Sequence, residues 1–281
     1  MPKSNTLSEA TPVLIGCFFL MVPVALLLTG AAKYFLPIED SPTVMAATTL
    51  EGDISEDYAM AVRAAMQPDP SYVSHSLIPV DATQPLTVVT WTEGKWVPGF
   101  KKGATDRNTW VTVAPSLESF CQDFVRTHGT DLNQLNLRLE QRLGLPPGGN
   151  YDTFVELKLE PKELSNTSKF FRPCGDSSTS SKTCSPASPP KPEEIKPDLK
   201  PLDPGNPKQV GEYWLLSNYY QSFSSSHQYP WTTLGYTFDW ARREDASEDF
   251  VRWGESEFVI SPRTPFQFVS AADTAAYCAP Q

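Results

Sequence analysis

The chain has 281 residues, 40% of them hydrophobic and 11% aromatic, which is enough apolar surface for a folded core and excludes disorder throughout. Its formal net charge of -10 excludes a basic footprint for nucleic acid. The same sign sets the surface against lying flat on an anionic lipid leaflet.

Residues 1–12 form a short tail. Residues 13–32 then read VLIGCFFLMVPVALLLTGAA, without one charged side chain. Twenty residues at a rise of 1.5 Å span about 30 Å, the thickness of a hydrocarbon core. Pro23 sits mid-span, where membrane helices tolerate proline. Lys33, Tyr34 and Phe35 follow at headgroup level, so a transmembrane helix is expected over residues 13–35, with the lipid bilayer as its partner. Thr29-Gly30-Ala31-Ala32 offers a small-residue cleavage site, and a signal peptide is the competing reading. Cys17 follows Leu14-Ile15-Gly16 as in a lipoprotein signal, but the apolar run comes after it rather than before.

Lys3 precedes the span and Lys33 follows it, so basic residues do not orient it. Cysteines do. Cys121, Cys174, Cys184 and Cys278 lie beyond the span, an even number that suits two disulfides in an oxidising compartment. Cys174 and Cys184 flank a short polar loop and are the favoured pair, leaving Cys121 with Cys278, although three pairings are open on sequence alone. The expected location is therefore a single-pass membrane protein, in a bacterial inner membrane, with its C-terminal domain in the periplasm or another oxidising compartment. No C-x-x-C occurs and the histidines (His75, His128, His227) are scattered, so no metal or cofactor is expected.

Residues 36–54 read as an exposed stalk, and residues 55–281 as the extracytoplasmic domain. Tyr58, Ala61, Val62, Ala65 and Met66 share one helical face before Pro68 and Pro70. Residues 86–92, LTVVTWT, and residues 109–113 are rich in β-formers. After Pro115, a helix carries Leu117, Phe120, Cys121 and Phe124 on one face and stops at Gly129. A second helix, residues 132–143, ends at Gly144, and residues 153–159 alternate as a strand. Residues 172–208 are dense in Pro, Ser, Lys and Glu and read as an exposed insertion. A helix over residues 211–223 follows, then strands over 231–240, 257–260 and 265–270. Helices and strands do not alternate regularly, so the expected class is α+β.

Motifs that carry chemistry are missing: no nucleophile elbow, phosphate loop, dinucleotide fingerprint or H-E-x-x-H. Cys121 and His128 stand two helical turns apart, too far for a catalytic pair. Asn166-Thr167-Ser168 matches a glycosylation sequon, meaningful only in a secretory eukaryote. The most distinctive stretch is residues 229–240, YPWTTLGYTFDW. Its Tyr229, Trp231, Tyr236 and Trp240 are either a core stripe or a binding surface, since Trp and Tyr dominate interface hot spots. In strand register Trp231 and Trp240 fall on opposite faces. The expected function is a membrane-anchored, non-catalytic subunit that binds, caps or helps assemble a larger membrane complex, an electron-transfer complex among the options. The alternatives are an anchored hydrolase with a dispersed site and a carbohydrate- or small-molecule-binding module.

Overall fold

The computed structural model describes residues 42–66, 72–175, 178–185, 217–219, 221–223, 228–242 and 252–281, with side chains from residue 54 onward. The expected membrane helix, the start of the stalk and most of the proline-rich tract lie outside the described residues. Among those residues no helix is long and apolar enough to cross a membrane.

The fold is α+β, built on a curled antiparallel sheet. In chain order the elements are α1 (Pro42–Ala65), β1 (Leu86–Thr92), a 3-10 turn (Gly94–Trp96), α2 (Val97–Phe100), β2 (Thr109–Val113), α3 (Ser116–His128) and α4 (Leu132–Leu143). Then come β3 (Thr153–Leu159), α5 (Pro161–Leu164), β4 (Phe170–Phe171), β5 (Tyr236–Phe238), β6 (Trp253–Ile260), β7 (Gln267–Asp273) and α6 (Thr274–Tyr277). The seven strands run β4-β6-β2-β1-β3-β7, with β5 also paired to β6.

Alternation along the strands divides the core between the two sheet faces. Val88, Val111, Leu157, Phe258 and Ile260 point to one face, where they meet Phe100, Leu164 and Phe266. Val89, Trp91 and Phe154 point to the other, against Leu117 and Cys121 of α3 and Leu135 and Leu139 of α4. Both helices form for local reasons. Asp131 caps α4 by accepting from the Asn133 and Gln134 amides at 2.9 and 3.4 Å. Gly144 ends α4 in the left-handed region at φ 66°, and a Cβ there would meet the Phe238 carbonyl at 3.3 Å. That close approach brings the β5 segment against the end of α4.

Two cysteine pairs stand at disulfide distance. Cys121 of α3 pairs with Cys278, just after α6, across 5.2 Å between Cα atoms. Cys174 pairs with Cys184 across 6.2 Å. Peptide mapping without reductant is expected to recover these two pairs. Recovery of Cys121 with Cys174 or Cys184 would overturn this arrangement.

Several boundaries differ from the sequence expectation: the strands expected over residues 257–260 and 265–270 run over Trp253–Ile260 and Gln267–Asp273, and three further differences are larger. Helix α1 already runs from Pro42, so the C-terminal part of the expected stalk is helical. Ala61, Val62 and Ala65 are buried as their spacing requires, but Met66, at the helix end, is 40% exposed. The expected insertion does not begin as an exposed excursion, because Arg172, Cys174 and Cys184 are all buried. Composition is averaged over many residues, and it hid a single buried cation at the start of a polar tract. Finally, the strand expected over residues 231–240 is confined to Tyr236–Phe238. Thr233 and Gly235, at φ 55° and 78°, turn the chain out of extended geometry just before it.

Candidate functional site

Strands β1 and β2 share a ladder of only two residue pairs, Val88↔Val113 and Val89↔Thr112. Beyond it they turn to other neighbours. Residues 90–92 pair with β3, from Thr90↔Val155 to Thr92↔Thr153. Residues 109–111 pair with β6, from Thr109↔Ile260 to Val111↔Phe258. The sheet therefore opens between Trp91 and Trp110. The opening is part of a cavity of about 1000 Å³, which also takes in the 3-10 turn, the end of α4 and residues 229–231.

Aromatic rings dominate its wall: Trp91, Trp96, Trp110, Tyr151, Tyr229 and Trp231 all line it. Trp91 stacks on Tyr151 at 5.2 Å between centroids. Trp110 and Trp231 meet edge to face, with centroids 5.9 Å apart and planes at 85°. Trp96 and Tyr229 are exposed and form the rim. Arg107 lies over the Trp96 ring at 4.4 Å. An apolar cavity with few convergent polar groups is the usual form of a small-molecule site.

The polar lining includes Lys102, Asp106, Arg107 and Asn108, and two buried groups, Thr112 and Glu257, which are cross-strand partners on β2 and β6. Both are buried, and among the described residues neither Thr112 Oγ1 nor Glu257 Oε2 has a hydrogen-bond partner. Such buried orphans are rare in folded proteins and mark water, ligand or catalytic positions. Burial pushes the Glu257 carboxyl up to about 8, against the opposing pull of the Trp231 indole and the Arg172 charge. At neutral pH Glu257 is thus mainly a neutral acid. A perturbed carboxyl in a cleft is the pattern of a functional site.

Nearby carboxylates are committed elsewhere. Asp239 accepts from both terminal nitrogens of Arg138, at 3.0 and 2.7 Å. Glu255 accepts from Arg142 Nε at 2.8 Å and from the Ser116 hydroxyl. This network clamps α4 onto the β5–β6 pair, and both arginines rest on Phe120. Glu140 is engaged by the Gly148 and Gly149 amides, whose pull opposes the upward push of its burial. Among the described residues no group of three or more His, Cys, Asp or Glu is arranged to hold a metal ion.

The residues singled out in sequence separate into two sets. Tyr229 is exposed at the cavity rim, and Trp231 and Tyr236 also contribute to its wall. Trp231, Tyr236 and Trp240 are buried, so the four do not make an exposed patch. Trp231 and Trp240 do not part to opposite faces either. Both pack in one cluster with Phe223, Phe238 and the Ala61–Val62–Ala65 face of α1. Trp240 additionally donates to the Leu145 carbonyl at 3.0 Å and meets Tyr58 edge to face. Alanine at either tryptophan is expected to cost about 3–5 kcal/mol of stability. Urea unfolding of each variant checks this, and an undisturbed midpoint for Trp231→Ala would return it to the surface.

Glu257 was visible in sequence only as the first residue of an expected strand. The signal was a carboxylate alternating with Glu255 inside an otherwise β-forming run, where one buried face requires apolar residues. Compared with known proteins, the chain matches no family model, and no curated protein or solved structure matches it significantly.

Proposed function

We propose that this domain is a non-catalytic binding module for a small organic molecule, seated where the sheet opens between β1 and β2. The observation that carries the reading is the aromatic cavity with two unpartnered polar atoms, Thr112 Oγ1 and Glu257 Oε2, on its wall. Catalysis by a carboxylate pair is less well supported, because Asp239 and Glu255, the carboxylates nearest in sequence to Glu257 and to the β5 segment, are neutralised by arginines. The uncharged run at residues 13–32 and the two cysteine pairs support an extracytoplasmic domain on a single membrane anchor.

The test uses the full chain in detergent, screened against small organic molecules by thermal shift and native mass spectrometry. A true ligand at a hundred times its Kd adds about 2.7 kcal/mol of stability. Gly99 lines the cavity, and a Cβ built on it meets nothing within 4 Å. Gly99→Trp is therefore expected to obstruct part of the cavity, keep the fold and weaken the ligand-induced shift. A variant that still binds with wild-type affinity would place the ligand elsewhere.

A second reading, a subunit that helps assemble a larger membrane complex, is favoured by β7. Among the described residues this strand pairs only with β3, and it exposes Val269 to 45%. Such an open edge is a template for strand addition by another chain. Photocrosslinking from position 269 in membranes tests it. Crosslinks to a membrane-complex subunit, with no ligand found for the cavity, would make assembly the primary role.

A further inference from the structure

The chemistry of the cavity differs between its two ends. At the rim, the protein's own cations use the rings: Arg107 and Lys95 lie 4.4 and 5.3 Å from the Trp96 centroid. At the inner end, where the lining is buried, Trp110 and Trp231 stand perpendicular and the Trp231 indole reaches Glu257, a carboxyl. Indole faces attract cations through the ring quadrupole, and perpendicular rings with an acidic neighbour are the arrangement that holds an ammonium group. A chain of net charge -10 also raises the local concentration of cations around it.

We propose that the inner end of the cavity takes an organic ammonium group, its positive charge set against the Trp110 and Trp231 rings and the carboxylate of Glu257. The inference rests on the ligand-binding reading above. It makes binding a proton-coupled event. In the empty site Glu257 holds its proton at neutral pH. When the cation enters, the carboxyl O–H bond breaks, the electron pair stays on Glu257 as carboxylate and the proton leaves to solvent. The charges around Glu257 do not pre-empt this. Arg172, whose charge favours the Glu257 carboxylate, spends its donors on carbonyls, Gly235 and Ile78 among them. Asp239 and Glu255 are held by Arg138 and Arg142. Strand β2 presents only Thr112 and Trp110, and the Tyr236 hydroxyl donates to the Tyr72 carbonyl. Thr112 Oγ1, without a partner among the described residues, is available to a ligand hydroxyl.

The experiment is calorimetric titration of the full chain in detergent with choline and with 3,3-dimethylbutan-1-ol, its neutral isostere of the same shape. Choline is expected to bind at least about tenfold more tightly. Its affinity is expected to rise about tenfold per pH unit below the Glu257 pKa and to level above it, with one proton released per cation bound. Glu257→Gln keeps the shape and neutral charge of the resting side chain, and it is expected to erase both the preference and the pH dependence. Equal affinity for the two probes, or affinity that falls as pH rises, would overturn the cation and point to a neutral acceptor bound by the protonated acid. If both probes fail while a neutral sugar or apolar molecule binds, the ammonium site is wrong and the binding module stands. If no molecule of any class binds, both readings fall.

Discussion

Replacing Arg172 with alanine is expected to destabilise the domain by about 5 kcal/mol or more, above the loss expected at either Trp231 or Trp240. The guanidinium is completely buried. It donates to five carbonyls: Ser178, Gly235, Ile78, Thr179 and Ser181, at 2.8 to 3.3 Å. It also lies over Phe258 at 4.5 Å. Thr179 and Gly235 keep backbone donors, the Val80 and Glu257 amides, at 2.8 and 2.9 Å. Each carbonyl that does lose its donor costs about 1–3 kcal/mol, and the emptied volume adds a cavity term. The five carbonyls belong to three separate stretches of chain, so the arginine is what fixes the Cys174–Cys184 loop against β5. Gly235 is part of the same arrangement, since a Cβ there would fall 2.5 Å from Arg172 Cδ. Lysine should not rescue, because one ammonium cannot reproduce a planar fork of donors. Urea unfolding monitored by tryptophan fluorescence measures the loss. A cost below about 2 kcal/mol for Arg172→Ala would mean that the carbonyls find other partners readily.

The second large effect is a pH dependence assigned to one carboxyl. Burial raises Glu257 from the ordinary 4.5 to about 8. Below pH 4.5 it is protonated in both the folded and the unfolded chain, and its contribution is then fully present. Between those values the folded state keeps a proton that the unfolded state has lost, so stability falls as pH rises. Above about 8 both states are ionised and the loss is complete. The slope is about 1.4 kcal/mol per pH unit, and the total is about 5 kcal/mol across the window. Glu257→Gln cannot ionise. Its stability should match the wild type near pH 5 and exceed it progressively toward pH 8. Unfolding curves for the two proteins that stay parallel over this range would show that Glu257 is ionised in the fold, with a partner yet to be identified.

Much of the local structure is legible in the sequence. The limits of β1, β2, β3, α3 and α4 agree with their hydrophobic periods, because each period reports one buried face and the stops are chemical: Pro115, Gly129, Asp131 and Gly144. The α+β class follows from the order of those elements. The cavity is not legible. It depends on β1 leaving β2 after two pairs, and strand register between distant segments leaves no mark on a local pattern. Residues 229–240 mislead in a different way. Their aromatic density is plain in the sequence, but whether a ring faces solvent or α1 is decided by residues far off in sequence, such as Ala61 and Val62. Arg172 is lost because a long polar tract follows it, and Glu257 because a single carboxylate in a strand reads as solvent-facing until its neighbours are known.

The Cys121–Cys278 bond gives the chain a covalent topology as well as a fold. It closes a ring across a sequence separation of 157, which takes in every strand from β3 to β7 and the whole proline-rich tract. Any single cut inside that ring, including one in the tract at residues 186–208, leaves the two pieces tethered. Protease-nicked protein should therefore run at full mass until reductant is added and then separate into two fragments. Wherever proteases reach the domain, this is a form of damage tolerance. A nick converts the ring to an open chain without releasing the C-terminal strands, and the sheet keeps its partners within reach.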